Sequence, residues 1–166
     1  MPRIRACRHT ASVNRIHTPD AGIPASATPD ELPEFAGRDA LRVWLDGLTA
    51  DFADDIRWSA PRRGVSRRGR RAALEYLEAE IRAMDQPRVC VLRRTSGQRA
   101  QHFHEFTIRF RMASPGIEGV GFPPGAEVEL ERLRVSTYDE ACKIVVETCI
   151  ETWTWLSAPE AAGSTG

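Results

Sequence analysis

The sequence predicts a single α+β domain in which a curved antiparallel sheet and a few helices enclose a small-molecule pocket. Three observations predict it. Segments 39–48 and 69–84 carry apolar residues at helical spacing. Beyond Pro87 the chain reads as strands, and 101–112 alternates strictly with period two. In 126–138 the alternation changes parity between Glu131 and Leu133, which predicts a β-bulge near Glu131-Arg132. Bulges bend sheets, and a bent sheet with helices in its concavity makes a pocket.

The bounds agree with one domain. The chain has 166 residues, 42 % hydrophobic and 28 % charged, an ordinary globular mixture with room for one core. Lys plus Arg is 23 and Asp plus Glu is 23, so the balance attracts neither nucleic acid nor an anionic membrane surface. No apolar run reaches the length of a membrane span, and no apolar stretch follows Arg3, Arg5 and Arg8 as a secretory signal requires. Cys7, Cys90, Cys142 and Cys149 form no CxxC pair and no metal spacing, so reduced thiols in a cytoplasmic protein are expected.

Residues 1–27 lack any period and read as a disordered tail. The domain is expected over 28–157, with a Gly/Ala/Ser tail at 158–166. Thr28, Pro29 and Glu31 form a capping-box signal for a short first helix ending near Gly37. A second helix follows, with Asp39 as cap and Leu41, Trp44, Leu45 and Leu48 as its stripe. Ile56 and Trp58 alternate in a short strand that Pro61 ends. Residues 62–71 read as a Gly- and Arg-rich loop, a solvated segment or, alternatively, an anion site at a helix start. The next helix buries Leu74, Leu77 and Ile81 and sets Arg71/Glu75 and Glu78/Arg82 at i,i+4 on its wet side. Strands are expected over 88–94, 101–112, 126–138 and 143–156, with a turn at Ser96-Gly97 and a Gly/Pro-rich loop at 115–124. On the outer face Glu127, Glu129 and Glu131 can pair with Arg109 and Arg111.

Four stretches, spread over residues 36–156, resemble the nuclear transport factor 2-like superfamily and its SnoaL-like, polyketide cyclase-like branch. They are Phe52 to Trp58, Arg68 to Leu77, Phe122 to Leu130 and Lys143 to Glu147. The resemblance implies a cone-shaped fold with an internal cavity, and commonly a homodimer. It fixes no activity, since cyclases, isomerases, epoxide hydrolases, dehydratases and non-catalytic proteins share it. It carries over no catalytic residue either. Glu151 is the one carboxylate near the end of the last strand, Ser59-Ala60-Pro61 stands where steroid isomerases place an Asp, and the Asp-Arg-Asp set of the epoxide hydrolases has no match.

The candidate site residues come from the strand faces. His102 and His104 share the face of Phe106, Ile108 and Phe110, about 7 Å apart along the strand. An imidazole beside an apolar cavity suits a general acid or base, and hydrogen-bonded histidines at the mouth of the core are the structural alternative. Glu147, Glu151, Trp153 and Trp155 share one face of the last strand. If that face lines the cavity, Glu151 is a carboxylate whose pKa burial raises. If the face of Ile144, Val146 and Ile150 lines it, the two tryptophans form a dimer surface. Trp44, Trp58, Tyr76, Phe106 and Phe110 are the aromatic candidates for the pocket wall, and each also suits core packing. No metal site and no cofactor is predicted. The expected function is acid/base chemistry on a small apolar organic molecule (cyclisation, isomerisation, dehydration or hydrolysis), or a non-catalytic ligand-binding or dimerisation module of the same fold.

Overall fold

The structure, a computed structural model, describes residues 34–96 and 101–158. In chain order it has β1 (Glu34–Ala36), α1 (Arg38–Thr49), β2 (Phe52–Ala60), a 3-10 turn (Pro61–Arg63), β3 (Val65–Arg68) and α2 (Arg70–Ala83). β4 (Met84–Ser96), β5 (Gln101–Met112), β6 (Glu127–Tyr138) and β7 (Ile144–Ser157) complete it. The strands form one sheet in the order β1-β4-β5-β6-β7-β2-β3. All pairs are antiparallel except β2 with β7.

The helices follow from their stripes. Leu41, Trp44 and Leu48 turn one side of α1 to the sheet and leave Val43 exposed on the other. Asp39 lies in the first turn of α1 and does not cap it: Gly37 is the cap residue, with φ 97°, and its N–H reaches the Pro87 carbonyl at 2.8 Å. On α2, Leu77 and Ile81 are buried as expected, with Ala73 beside them, whereas Leu74 is only half-buried. The Arg71–Glu75 pair forms at 3.8 Å. Glu78 instead takes Arg42 of α1 at 2.6 Å.

Two expectations along this stretch are corrected. Residues 34–36 are a strand and not the end of a helix: Phe35 pairs with Val89 and packs on Trp44 at 5.5 Å between ring centroids. The capping signal at 28–31 lies outside the described residues. The loop read at 62–71 is a hairpin. Pro61 starts its turn, Gly64 closes it with φ 68°, and β3 then pairs with β2. Cys142 is disulfide-bonded, so reduction of all four thiols is not upheld, whereas Cys90 and Cys149 are free.

The largest correction concerns β6. Its register against β5 runs without a shift from Gln101–Thr137 to Arg111–Glu127, and no bulge lies near Glu131-Arg132. The inward residues are Val128, Leu130, Arg132, Arg134 and Ser136, all buried. Parity never changes; the chemistry does. Two arginines enter the core, and Leu133 and Val135 face outward. The expected outer pairs form, Arg109 with Glu129 at 2.5 Å and Arg111 with Glu127 at 3.6 Å. Register irregularities lie instead in β4, in β2 against β7, and at both ends of β6 against β7.

The buried apolar residues fall into two clusters. One gathers Leu41, Trp44, Leu48, Ile81, Met84, Phe106, Ile108, Phe110, Val128 and Leu130 with others. The second gathers Phe52, Ile56, Trp58, Ala73, Tyr76, Leu77 and Cys149 with others.

Candidate functional site

The cross-strand rows of β5, β6 and β7 place each inward residue. Phe110, Val128 and Trp155 form one row, and Ile108, Leu130 and Trp153 the next. Then come Phe106, Arg132 and Glu151; His104, Arg134 and Cys149; and His102, Ser136 and Glu147. β2 extends the last row with Trp58. The face that carries Glu147, Glu151 and Trp153 is therefore the inward one. Ile150, on the other face, is 44 % exposed. The two tryptophans do not form a joint outer surface: Trp153 packs edge-on against Phe110, and half-exposed Trp155 stands against Phe122.

The polar rows hold two ionic clusters. In the first, Arg132 Nη2 donates to Glu80 Oε2 at 3.0 Å and meets Glu151 Oε1 at 2.6 Å. Arg63 bridges the same carboxylates, with Nη2 to Glu80 Oε1 at 2.6 Å and Nε to Glu151 Oε2 at 2.6 Å. Tyr76 accepts from Arg63 and donates to Glu80 at 3.2 Å, and Trp153 Nε1 donates to Glu151 at 3.1 Å. In the second, Glu147 accepts from Arg134, from Trp58 Nε1 at 3.0 Å and from Ser136 Oγ at 3.2 Å. None of these six charged side chains is more than 5 % exposed, and three positive charges face three negative ones.

The electrostatics follow from this pairing. Burial alone would raise the Glu151 carboxyl, but Arg132 and then Arg63 outweigh it and hold the group below the usual carboxylate range. That is opposite to the raised pKa expected for Glu151 as a general acid. Burial would lower Arg132, and Glu80 with Glu151 push it upward instead. Burial, then Glu80, pushes the Tyr76 phenol up, and burial pushes the Cys149 thiol up, which leaves it neutral and unreactive.

Between the helices and this face lies a cavity. Its walls include Leu41, Trp44, Leu45, Leu77, Ile81, Met84, Phe106 and Ile108 on the apolar side. Glu80, Arg132, Arg134, Glu147 and Cys149 supply the polar side. The space open to the centre of a water molecule is about 20 Å³. Of the residues expected from sequence, Trp44 and Phe106 line it. Trp58, Tyr76, Phe110, Glu151, His102 and His104 are not among its walls. Glu151 lies one layer behind, holding Arg132. His102 and His104 are half-buried on the polar rows, with the His102 ring tilted against Tyr138 at 4.8 Å between centroids. Among the described residues no three His, Cys, Asp or Glu side chains gather as a metal site would need.

Arg63, Glu80, Arg132 and Arg134 were missed by sequence reasoning. For Arg132 and Arg134 the signal was present, since period two extends unbroken through Val128, Leu130, Arg132 and Arg134. Arg63 is held by a loop whose closeness depends on Gly119. That glycine has φ 76°, and a Cβ there would lie 2.9 Å from Arg63 Cβ, while the neighbouring Glu118 carbonyl accepts from Arg63 at 3.1 Å.

No protein-family model and no curated protein matches the chain. Solved structures do match in fold. An NTF2-like protein of unknown function from Exiguobacterium sp. 255-15 aligns over 69 % of this chain and 91 % of its own, at 14 % identity and TM-score 0.52. A SnoaL-like polyketide cyclase, so described, from Jannaschia sp. CCS1 covers 65 % and 72 % at 13 % identity and TM-score 0.53. SalBIII, an epoxide hydrolase/cyclase-like enzyme of pyran ring formation in the polyether salinomycin, covers 72 % and 88 % at 15 % identity and TM-score 0.52. The chain thus has the nuclear transport factor 2-like fold.

Proposed function

We propose that this protein binds a small, largely apolar organic molecule at the inward face of its sheet and performs acid/base chemistry on it. The observation that carries this is the cavity, where a wall of leucine, isoleucine and aromatic side chains meets buried arginine and glutamate. Apolar walls with a few convergent polar groups are what small-molecule sites are made of. SalBIII and the SnoaL-like neighbour support the class by fold alone. In this reading the sheet wraps the helices as a cone around the guest. Glu151 positions Arg132, and the proton-transfer role belongs to the histidines. His104 sits opposite Arg134 in register and His102 opposite Ser136, on the same inward face.

A non-catalytic binding module is the second reading. It is favoured by Glu151, whose carboxyl Arg132 and Arg63 hold below the usual carboxylate range, and by the small free volume. Titration with cyclohexene oxide, cyclohexanone and methylenecyclohexane, followed on the methyl resonances of Leu41, Ile81 and Ile108, tests both. Saturable shifts with turnover that His104→Gln removes support the enzyme. Shifts without turnover support the module. No saturable shift with any probe sinks the pocket in either form.

No helix among the described residues is long and apolar enough to cross a membrane, and the cytoplasm is the proposed location. A homodimer on the outer sheet face is the proposed assembly. There Leu133 and Val135 stand beside Phe103, Val146 and Ile150, an apolar group on a face that otherwise carries Thr, Arg, Glu and Gln. A sedimentation coefficient of a monomer at tens of micromolar contradicts it.

A further inference from the structure

Three buried N–H groups belonging to cavity-wall residues have no hydrogen-bond partner among the described residues: Arg134 Nη1, Arg132 Nε and Trp44 Nε1. Their residues are 2 %, 5 % and 6 % exposed. Each group is a donor that cannot accept. A buried donor left unsatisfied costs about 1–3 kcal/mol, more when charged, so three of them on residues that line one cavity call for an acceptor beyond the described residues.

The charge balance says which kind. The six buried ionic side chains already cancel, three against three. An anionic guest would bring a further negative charge with no buried positive charge left over, and desolvating a lone ion costs several kcal/mol. A neutral oxygen satisfies donors without adding charge. The wall's carboxylates are occupied as well. Glu80 accepts from Arg63, Tyr76 and Arg132, and Glu147 from Trp58, Arg134 and Ser136. A guest that accepts therefore matches the walls better than one that must also donate, such as an alcohol or amine. Leu41, Leu45, Leu77 and Ile81 form the remaining wall and suit a hydrocarbon body. With about 20 Å³ open to a water-sized centre, the ready-made space fits the oxygen end of such a guest.

We propose that Arg132, Arg134 and Trp44 form a clamp for a neutral acceptor oxygen, the carbonyl of a ketone, ester or lactone on an apolar molecule. This rests on the pocket reading above and gives it a substrate class.

The test uses three probes of one shape: cyclohexanone, methylenecyclohexane, which lacks the oxygen, and cyclohexanecarboxylate, which carries a charge. Binding to the full chain is followed on the Trp44 indole and Arg132 Nε–H resonances, the former assigned by its loss in Trp44→Phe. Cyclohexanone is expected to bind saturably and shift both signals downfield. Methylenecyclohexane is expected to bind about tenfold more weakly, and the carboxylate not at all. Trp44→Phe keeps an aromatic wall and removes one donor, so it weakens cyclohexanone about threefold to tenfold and leaves methylenecyclohexane unchanged. Equal binding of ketone and alkene with an unmoved indole overturns the clamp and leaves the pocket standing. Preference for the carboxylate overturns the neutral class. Failure of all three probes, as when the donors hold a water that none displaces, overturns the clamp and the pocket together.

Discussion

The inward face of β6 has two halves that differ in what they contribute. Val128 and Leu130 are fully buried among Phe110, Ile108 and Trp153, and their burial drives folding directly. Two and four residues further along, Arg132 and Arg134 occupy equivalent positions, also buried, and their ionic partners had to be recruited from α2 and β7. Burying an ion pair gains little over an apolar pair of the same volume, because desolvation cancels much of the attraction. A hydrophobic continuation of β6 would have served the fold. In the proposed function the charged half serves the cavity that Arg132 and Arg134 line.

The two halves should respond differently to mutation and pH. Arg132→Met leaves Glu80 and Glu151 facing each other with Arg63 alone, and should cost about 3–5 kcal/mol in urea denaturation at pH 7. Leu130→Ala, in the apolar half, should cost about 2–5 kcal/mol by cavity formation. The sizes overlap; the pH dependence separates them. In the parent the Glu151 pKa is depressed in the folded state, so its contribution is present above the ordinary carboxylate value of 4.5 and lost as pH falls through the depressed value. Without Arg132 that depression shrinks, and protonation relieves the stranded carboxylates. The Arg132→Met deficit should narrow as pH drops from 7 toward 4, whereas the Leu130→Ala deficit should stay level. Parallel curves for both variants would contradict an ionic difference between the halves.

Gly119→Ala probes the charged half from outside it. The added Cβ combines a strained φ with a contact at 3.0 Å to the Arg63 carbonyl, so about 1–3 kcal/mol should be lost. The Tyr76 phenol should also titrate differently, since Arg63 donates to it. An unchanged Tyr76 titration would mean that the loop does not set Arg63. The smallest effect belongs to the solvated pairs of the outer face. Glu129→Gln removes the partner of Arg109, whose side chain is 68 % exposed, and should cost about 0.2–1 kcal/mol and less in high salt.

The sequence reveals the apolar half and conceals the charged one for a single reason. Period and composition report burial when the buried residue is apolar, so Leu41, Trp44, Leu77 and the alternation of β5 gave two helices and four long strands within a residue or a few of their bounds. The same assumption placed Arg132 and Arg134 outside and needed a bulge to do so. Burial of an arginine depends on partners distant in sequence, here Glu80, Glu147 and Glu151, and no local pattern shows them. The order of the motifs carried the fold likeness. Both aromatic residues of the cavity wall, Trp44 and Phe106, were visible, although Trp58, Tyr76 and Phe110 were expected with them and do not line it, whereas the glutamates that hold the arginines became visible only with the fold.

The most direct test is a cyclohexanone titration of the double variant Arg134→Met/Glu147→Gln. The pair of charges is removed together, and the new side-chain amide would still offer an acceptor oxygen to Trp58 Nε1. If the charged half exists for the ligand, this protein should unfold in urea no earlier than the parent and should bind cyclohexanone about threefold to tenfold more weakly, read on the Trp44 indole shift. A variant that binds cyclohexanone as the parent does, yet unfolds well before it, would contradict the account and make the buried charges a structural feature of the sheet.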